Sequence, residues 1–412
     1  MVFNLYGLGL KSEEGMRRNV EIVFFIFVPV LLLLIWYLMP IVSVVPILLY
    51  LAFLKPPKVI EISLLFLVAS VFGLINFTKA PESDLLNYYS TLHNFLNHNI
   101  FSFRLVEAND PAFYFITAII SHLTNASGPV FILFWTTVTY FVVFVAVIKL
   151  SKLVNLKRYF AFGIIGYVAF LGYSIGLSGH LVRQYAAMSF LLLSFVVALS
   201  RDKRSYFLFL ISFLLHHSIL IFFPVIYFAN LKFVKLNKFY IYSLILISIS
   251  VVIGIINLFS IISHVTLINL EFLNYISSKS IIYIDVSDGS LGIWSVIEML
   301  LYSFIFLFVF LFRKDQLNLK MLFFLIFFWS LIIVTRSTDL LLLRYFMFGF
   351  GVTSLALVII ARSHHSFIKI FVLLLIFSAI PRFFMRIKNS NWTFISNDFE
   401  IIFYSVNHIV FN

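Results

Sequence analysis

From about residue 23 onward the chain is a succession of apolar runs, many of about 20 residues, broken by short turns that carry Lys and Arg. A helix of that length matches the hydrocarbon thickness of a bilayer. Backbone in hydrocarbon must satisfy its own hydrogen bonds, so such runs are helices; barrel strands would alternate polar and apolar residues instead. Composition agrees: hydrophobic residues make up 62% and charged residues 11% of the 412, far from the balance of a soluble domain. The expectation is an all-α, polytopic integral membrane protein of about 13 transmembrane helices in one domain.

The net charge is +12, in a chain poor in charge. Basic residues clustered in short turns mark cytoplasmic loops, which accounts for the excess without nucleic acid. There is no cysteine, so disulfides, thiolate metal sites and cysteine nucleophiles are excluded. No cleavable signal is expected, because the run after Arg18 is too long and lacks a small-residue cleavage site.

Basic clusters set the order. Lys55-Pro-Pro-Lys58 reads as cytoplasmic, with spans at about 23–38, 40–54 and 59–77 around it. Residues 78–128 read as an external loop with short helices; 112–123 is too short to span and lies in the interface or re-enters. Further spans follow at about 129–148, 160–177 and 183–200. Residues 206–230 lie between two basic flanks, Arg201 to Arg204 and Lys232, Lys235 and Lys238, yet are too few to cross twice. They read as a hairpin of two short helices with His216-His217-Ser218 at its apex, so 179–230 forms a helix plus hairpin around a site. A polar apex at that depth requires surrounding protein or a water-filled cavity. Spans at about 239–259 and 291–312 flank an external loop, 260–290. Spans at about 319–335, 344–362 and 367–380 then lead to a C-terminal tail, 381–412.

This threading places Asp84, Arg104, Glu107, Asp110, Arg183, His216, His217, Arg336 and Arg344 together on the external side. Ionisable groups near hydrocarbon are costly and mark function. His180, Arg183, Gln184 and Ala187 share a helix face, and guanidiniums opening on one cavity suit a phosphate or diphosphate. Blander readings stand beside these. A lone arginine at a helix end commonly snorkels to head groups, and the helix from Asp84 to Tyr88 reads equally well as an amphipathic loop. Adjacent histidines point about 100° apart on a helix, so at most one of His216 and His217 is expected to serve a site. Asp285 and Asp288 read as turn formers, His364 and His365 as solvated. No metal-binding spacing is present.

At these residues the sequence resembles the EpsG-like family of bacterial polysaccharide polymerases, functionally of the Wzy type. The resemblance runs from residue 60 to 360. It rests on Asp84-x-x-x-Tyr88, on Asp110-Pro111 before a semi-apolar helix, and on Arg183-Gln184-Tyr-Ala-Ala187 followed by a basic turn. His216-x-Ser218 with its apolar tail to Pro224 and the step from Arg344 to Phe348 complete it. The block from Arg183-Gln184 to His216-x-Ser218 is the most specific part, and Asp110 stands where the family more often has Glu.

The resemblance implies a GT-C-like architecture and a glycosyltransferase at the outer face of the bacterial cytoplasmic membrane. Its substrate would be an undecaprenyl-diphosphate-linked oligosaccharide, with membrane lipid around it and a chain-length regulator and flippase of the same pathway as partners. No cofactor or metal is implied. Arg183 and Arg344 would hold the diphosphate; Gln184, Arg336, Tyr88 and His180 would contact substrate. His216 would be the base or orienting group, with Asp84 as rival base. The competing functions are a flippase of lipid-linked oligosaccharide, which should show two similar halves, another lipid-linked glycosyltransferase or ligase, and a membrane O-acyltransferase.

Overall fold

The computed structural model describes residues 26–82, 84–97, 110–170, 178–232, 304, 316–334, 349–362, 365–388, 394–395 and 399–411. Spans expected near 239–259 and 291–312, and the 260–290 loop, lie outside the described residues apart from residue 304. Among the described residues every regular element is helical. In chain order these are α1 (Val28–Leu38), α2 (Pro40–Phe53), α3 (Lys58–Phe77), α4 (Asp84–Leu96), α5 (Pro111–Thr124), α6 (Gly128–Leu153) and α7 (Arg158–Ala169). There follow α8 (Val182–Leu199), α9 (Arg204–Leu215), a 3₁₀ segment (His217–Phe222), α10 (Phe223–Asn230), α11 (Gln316–Val334), α12 (Gly349–Ala361) and α13 (Ser366–Lys388). A 3₁₀ turn (Phe399–Phe403) and α14 (Val406–Phe411) close the chain. By length and composition, α3, α6, α8 and residues Ser366–Met385 of α13 can cross a membrane, and shorter apolar helices accompany them.

Helix α3 runs antiparallel to α6, and side-chain contacts record the register. Glu61 meets Lys152, Phe66 meets Phe141, Phe72 stacks on Tyr140, and Asn76 bonds Thr136. Between helices in lipid there is no water to expel, so close packing and polar contacts hold them together. Gly73 allows the approach: a methyl there would stand 2.8 Å from the Leu133 carbonyl oxygen.

The basic turn between α6 and α7 meets the start of α3 at one end of the helices. Arg158, at the start of α7, donates from Nη1 to Glu61 Oε2 (2.8 Å) and from Nε to the Leu51 carbonyl (3.0 Å). Glu61 is buried and Lys152 stands 3.5 Å from its other oxygen, so one carboxylate ties α3, α6 and α7 together, and Arg158 joins α2 to them. Phe72, Phe170 and Phe383 meet edge to face, which sets α3, α7 and α13 side by side.

Helix α8 is the most enclosed of the four long helices, with 83% of its apolar window buried. Its neighbours are the two arms of the 206–230 hairpin. Ser194 Oγ donates to the Ser205 carbonyl (2.7 Å), and Ser212 Oγ, one turn before the apex, donates to the Ala187 carbonyl. Asn230 Nδ2 returns to Ser205 Oγ (2.9 Å), closing the hairpin at its base. Lys320 of α11 donates to the Ala229 carbonyl and so caps α10. The apex is at His216, whose backbone leaves the helix with φ −159° and ψ 113°.

One boundary differs from the sequence reading. Instead of ending near residue 380, α13 continues through Pro381 to Lys388. Proline removes a single backbone donor, and Arg382 Nε bonds the Ser378 carbonyl (3.2 Å), so the break stays local. The chain after it folds back: the 3₁₀ turn packs on α2, and α14 on α1 and α3.

Candidate functional site

Asp110 is the residue immediately before α5, and its side chain is wholly buried. Four donors converge on it. Arg183 Nη1 lies 2.8 Å from Oδ2. His216 Nδ1 is 3.2 Å from Oδ2, and His217 approaches Oδ1 with both its backbone N–H and ring Nδ1, each at 2.9 Å. A carboxylate offers about four lone-pair sites, and here all are used.

This arrangement explains the apex. No glycine or proline ends α9 at His216. The N–H of His217 opens the following 3₁₀ segment and has no partner within it, and Asp110 accepts it as a capping residue would, from 107 positions away. Because His216 is extended rather than helical, the expected 100° divergence of the two rings does not apply, and both reach Asp110.

Arg183 sits in the first turn of α8. Besides Asp110 it donates from Nε to Tyr88 Oη (3.2 Å) and from Nη1 to Tyr114 Oη (3.1 Å). Its guanidinium carbon lies 5.6–5.9 Å from the ring centres of Tyr88, Phe113 and Tyr114, within cation–π range. Nη2 carries no hydrogen bond among the described residues, and the side chain keeps 27% of its surface open. The contacts therefore fix the group and leave one amino edge without a partner among the described residues.

Burial alone would push the Asp110 carboxyl up. The hydrogen bonds from His216 and His217, with the charge of Arg183, outweigh it and hold the group well below the usual carboxylate range. An ionised Asp110 can only accept, so each histidine presents Nδ1–H to it and turns Nε2 away as a lone-pair acceptor.

Asp110, His216 and His217 also have ligand atoms within 4.8 Å of one another, a spacing open to a metal ion. No sequence motif could show this, because the residues come from separated segments. The donor chemistry fits hydrogen bonds better. Any cation would have to displace protons already serving all of Asp110's lone pairs, beside the fixed charge of Arg183.

Of the residues singled out in the sequence, Tyr88, Arg183 and His216 come together here. His180 and Gln184 are buried to either side of Arg183 in the chain but do not meet Asp110. Asp84 opens α4 one turn before Tyr88 and makes no contact with Arg183 or His216. Arg104, Glu107, Arg336 and Arg344 lie outside the described residues. The carboxylate at the centre is Asp110, with Tyr114 one turn into α5. The sequence places Asp110 on the same side as Arg183 and His216 and before Pro111, but assigns it no role in the site. The site lies about 18 Å from the basic turn of the hairpin along α9, at 1.5 Å per residue.

A family model described as the EpsG family matches residues 61–384, most of the chain. The chain belongs to the EpsG family. The matched segment contains every residue of the Asp110 cluster, and α3 through α13 almost entirely. EpsG membership points to a membrane protein of polysaccharide biosynthesis and to a glycosyltransferase-like polymerase. No curated protein and no solved structure matches the chain.

Proposed function

We propose that this EpsG-family protein joins polyprenyl-diphosphate-linked oligosaccharide repeat units, moving a growing glycan from its lipid diphosphate onto the sugar of a new lipid-linked unit. The observation that carries the reading is the pairing at Asp110 of a fixed guanidinium with an open edge and a histidine whose Nε2 is turned outward. These are the two groups that glycosyl transfer from a diphosphate needs.

In the reaction the bond between the anomeric carbon and the diphosphate oxygen breaks, and a bond from that carbon to an acceptor hydroxyl oxygen forms. The hydroxyl proton passes to His216 Nε2 and then to water. Asp110 keeps Nδ1 protonated and stabilises the imidazolium that results. The electron pair of the broken bond stays on the diphosphate, whose charge is met by Arg183 through Nη2. Tyr88 and Tyr114 hold the guanidinium where that charge develops. His217 keeps Asp110 in place from the other side and offers a second Nε2 near the acceptor.

A polyprenyl tail needs a site below the membrane surface, and a cluster one short helix away from the basic turn supports that reading. The reading places the site toward the external face of the bacterial cytoplasmic membrane, in a GT-C-like fold, with undecaprenyl diphosphate as the released lipid. Arg344 and Arg336 remain candidates for the second phosphate. The test is the polymer ladder of cells lacking the gene, complemented at matched membrane levels. Loss of the ladder with a single repeat unit still on the final acceptor supports polymerisation. Loss of that single unit as well would point upstream, to flipping or ligation.

A further inference from the structure

A second buried polar group lies where α3, α6 and the start of α8 meet. Asn76 is wholly buried in the last turn of α3. Its Nδ2 donates to Thr136 Oγ1 (3.2 Å) and Ser178 Oγ (3.1 Å). Its Oδ1 is buried with no hydrogen bond among the described residues. A leucine there would lose both bonds and set a branched methyl pair where the flat carboxamide now faces Gly179.

The carboxamide occupies the space that a side chain at Gly179 would fill: a methyl there would stand 2.9 Å from Asn76 Cγ and 3.0 Å from Oδ1. Gly179 lies four residues before Arg183, in the turn that leads into α8. The residue capping α8, Leu181, makes no side-chain capping bond, so no side chain at the cap sets where the helix begins. Gly73, three residues before Asn76 on the same helix, brings α3 against α6 and so delivers Asn76 to Thr136 and Ser178.

We infer that Asn76 and Gly179 form a size-matched lock that sets the start of α8 and thereby the position of Arg183, with Asn76 a positioning residue for the reaction proposed above. Asn76 touches neither Asp110 nor Arg183. It acts by fixing the backbone from which Arg183 projects, where a displacement of about 1 Å can cost on the order of 100-fold in rate.

The natural absence of cysteine makes the lock measurable without reference to activity, since Arg183→Cys can be labelled by a maleimide with no background. Adding Gly179→Ala is expected to change the labelling rate about fivefold, and adding Asn76→Ala as well to bring it back within about twofold, as coupled neighbours do. Equal rates in all three proteins overturn the lock. In membranes that keep Arg183, Gly179→Ala should lower polymer output about tenfold at unchanged KM for the lipid-linked unit, with the Asn76→Ala partner restoring it. If Gly179→Ala fails to insert, Asn76→Leu takes its place, with the same loss expected. A wild type that polymerises beside an equally active Gly179→Ala (or Asn76→Leu) sinks the lock and leaves the polymerase reading standing. A wild type that makes no polymer sinks that reading, and the labelling rates alone then decide the lock.

Discussion

Arg183 Nη1 and Asp110 Oδ2 stand 2.8 Å apart, joining the first turn of α8 to the residue before α5 across 73 positions of chain. The carboxylate is wholly buried and the guanidinium is not. One partner is thus fixed scaffold and the other a fixed cation with an edge to offer.

Replacing Asp110 should damage structure and chemistry at once. Asp110→Ala strands a partly buried guanidinium, and breaking such a pair typically costs about 3–5 kcal/mol. The expected result is a clear drop in Tm of the purified protein. Asp110→Asn keeps the shape but can no longer enforce Nδ1–H on both histidines, so polymer output should fall about 100-fold or more.

Arg183→Lys keeps the charge and loses the planar fork. A lysine cannot hold Tyr88, Asp110 and Tyr114 together while presenting a free edge. Polymerisation should fall about 100-fold with normal membrane levels, read from ladder intensity. Activity within twofold of wild type would remove the guanidinium from the mechanism.

The two histidines should separate by role. His216→Ala is expected to cost about 100-fold or more, the usual contribution of a positioned base. His217→Ala keeps its backbone N–H on Asp110 and should cost about tenfold, through a less well-held carboxylate. The comparison uses initial rates of polymer formation at matched protein.

Acid stability follows from the depressed Asp110 pKa. A carboxylate at its ordinary 3.8 takes up a proton near that pH, whereas Asp110 in the folded chain does not. Its stabilisation is therefore complete above about pH 4 to 5 and is lost as pH falls below that toward the folded value. Wild type should lose stability more steeply than Asp110→Asn between about pH 4 and 2, measured by thermal unfolding in detergent.

At the basic end, Glu61→Gln should lower stability by about 1–3 kcal/mol through its bonds to Arg158 and Lys152, while sparing the reaction at low temperature. Thermal unfolding and polymer output measured on one preparation would show the two effects apart.

Much of this arrangement was legible in the sequence because it depends on local pattern. Basic turns and run lengths placed α8 and the hairpin, and the shortage of residues between two basic flanks placed His216 near its apex. What was not legible is contact at long range. The threading puts Asp110 on the same side as Arg183 and His216, but only the fold brings it into contact with residues 73 and 106 positions away. The geometry of the histidine pair was misjudged for the same reason. Helical spacing sets them about 100° apart, but the distant carboxylate at the helix break of His216 is invisible to any local rule. The end of α13 was misplaced in the opposite sense: the apolar run stops near residue 380, yet the helix continues through Pro381 to Lys388, since a packed helix tolerates the loss of one donor.

The most direct measurement reconstitutes the purified protein in lipid vesicles with a polyprenyl-diphosphate-linked repeat unit and follows polymer and free polyprenyl diphosphate together. The account predicts one lipid diphosphate released per linkage formed by wild type, and loss of both products in Asp110→Asn and His216→Ala. Polymer formed by Asp110→Asn at the wild-type rate, or no polymer from wild type, would contradict it.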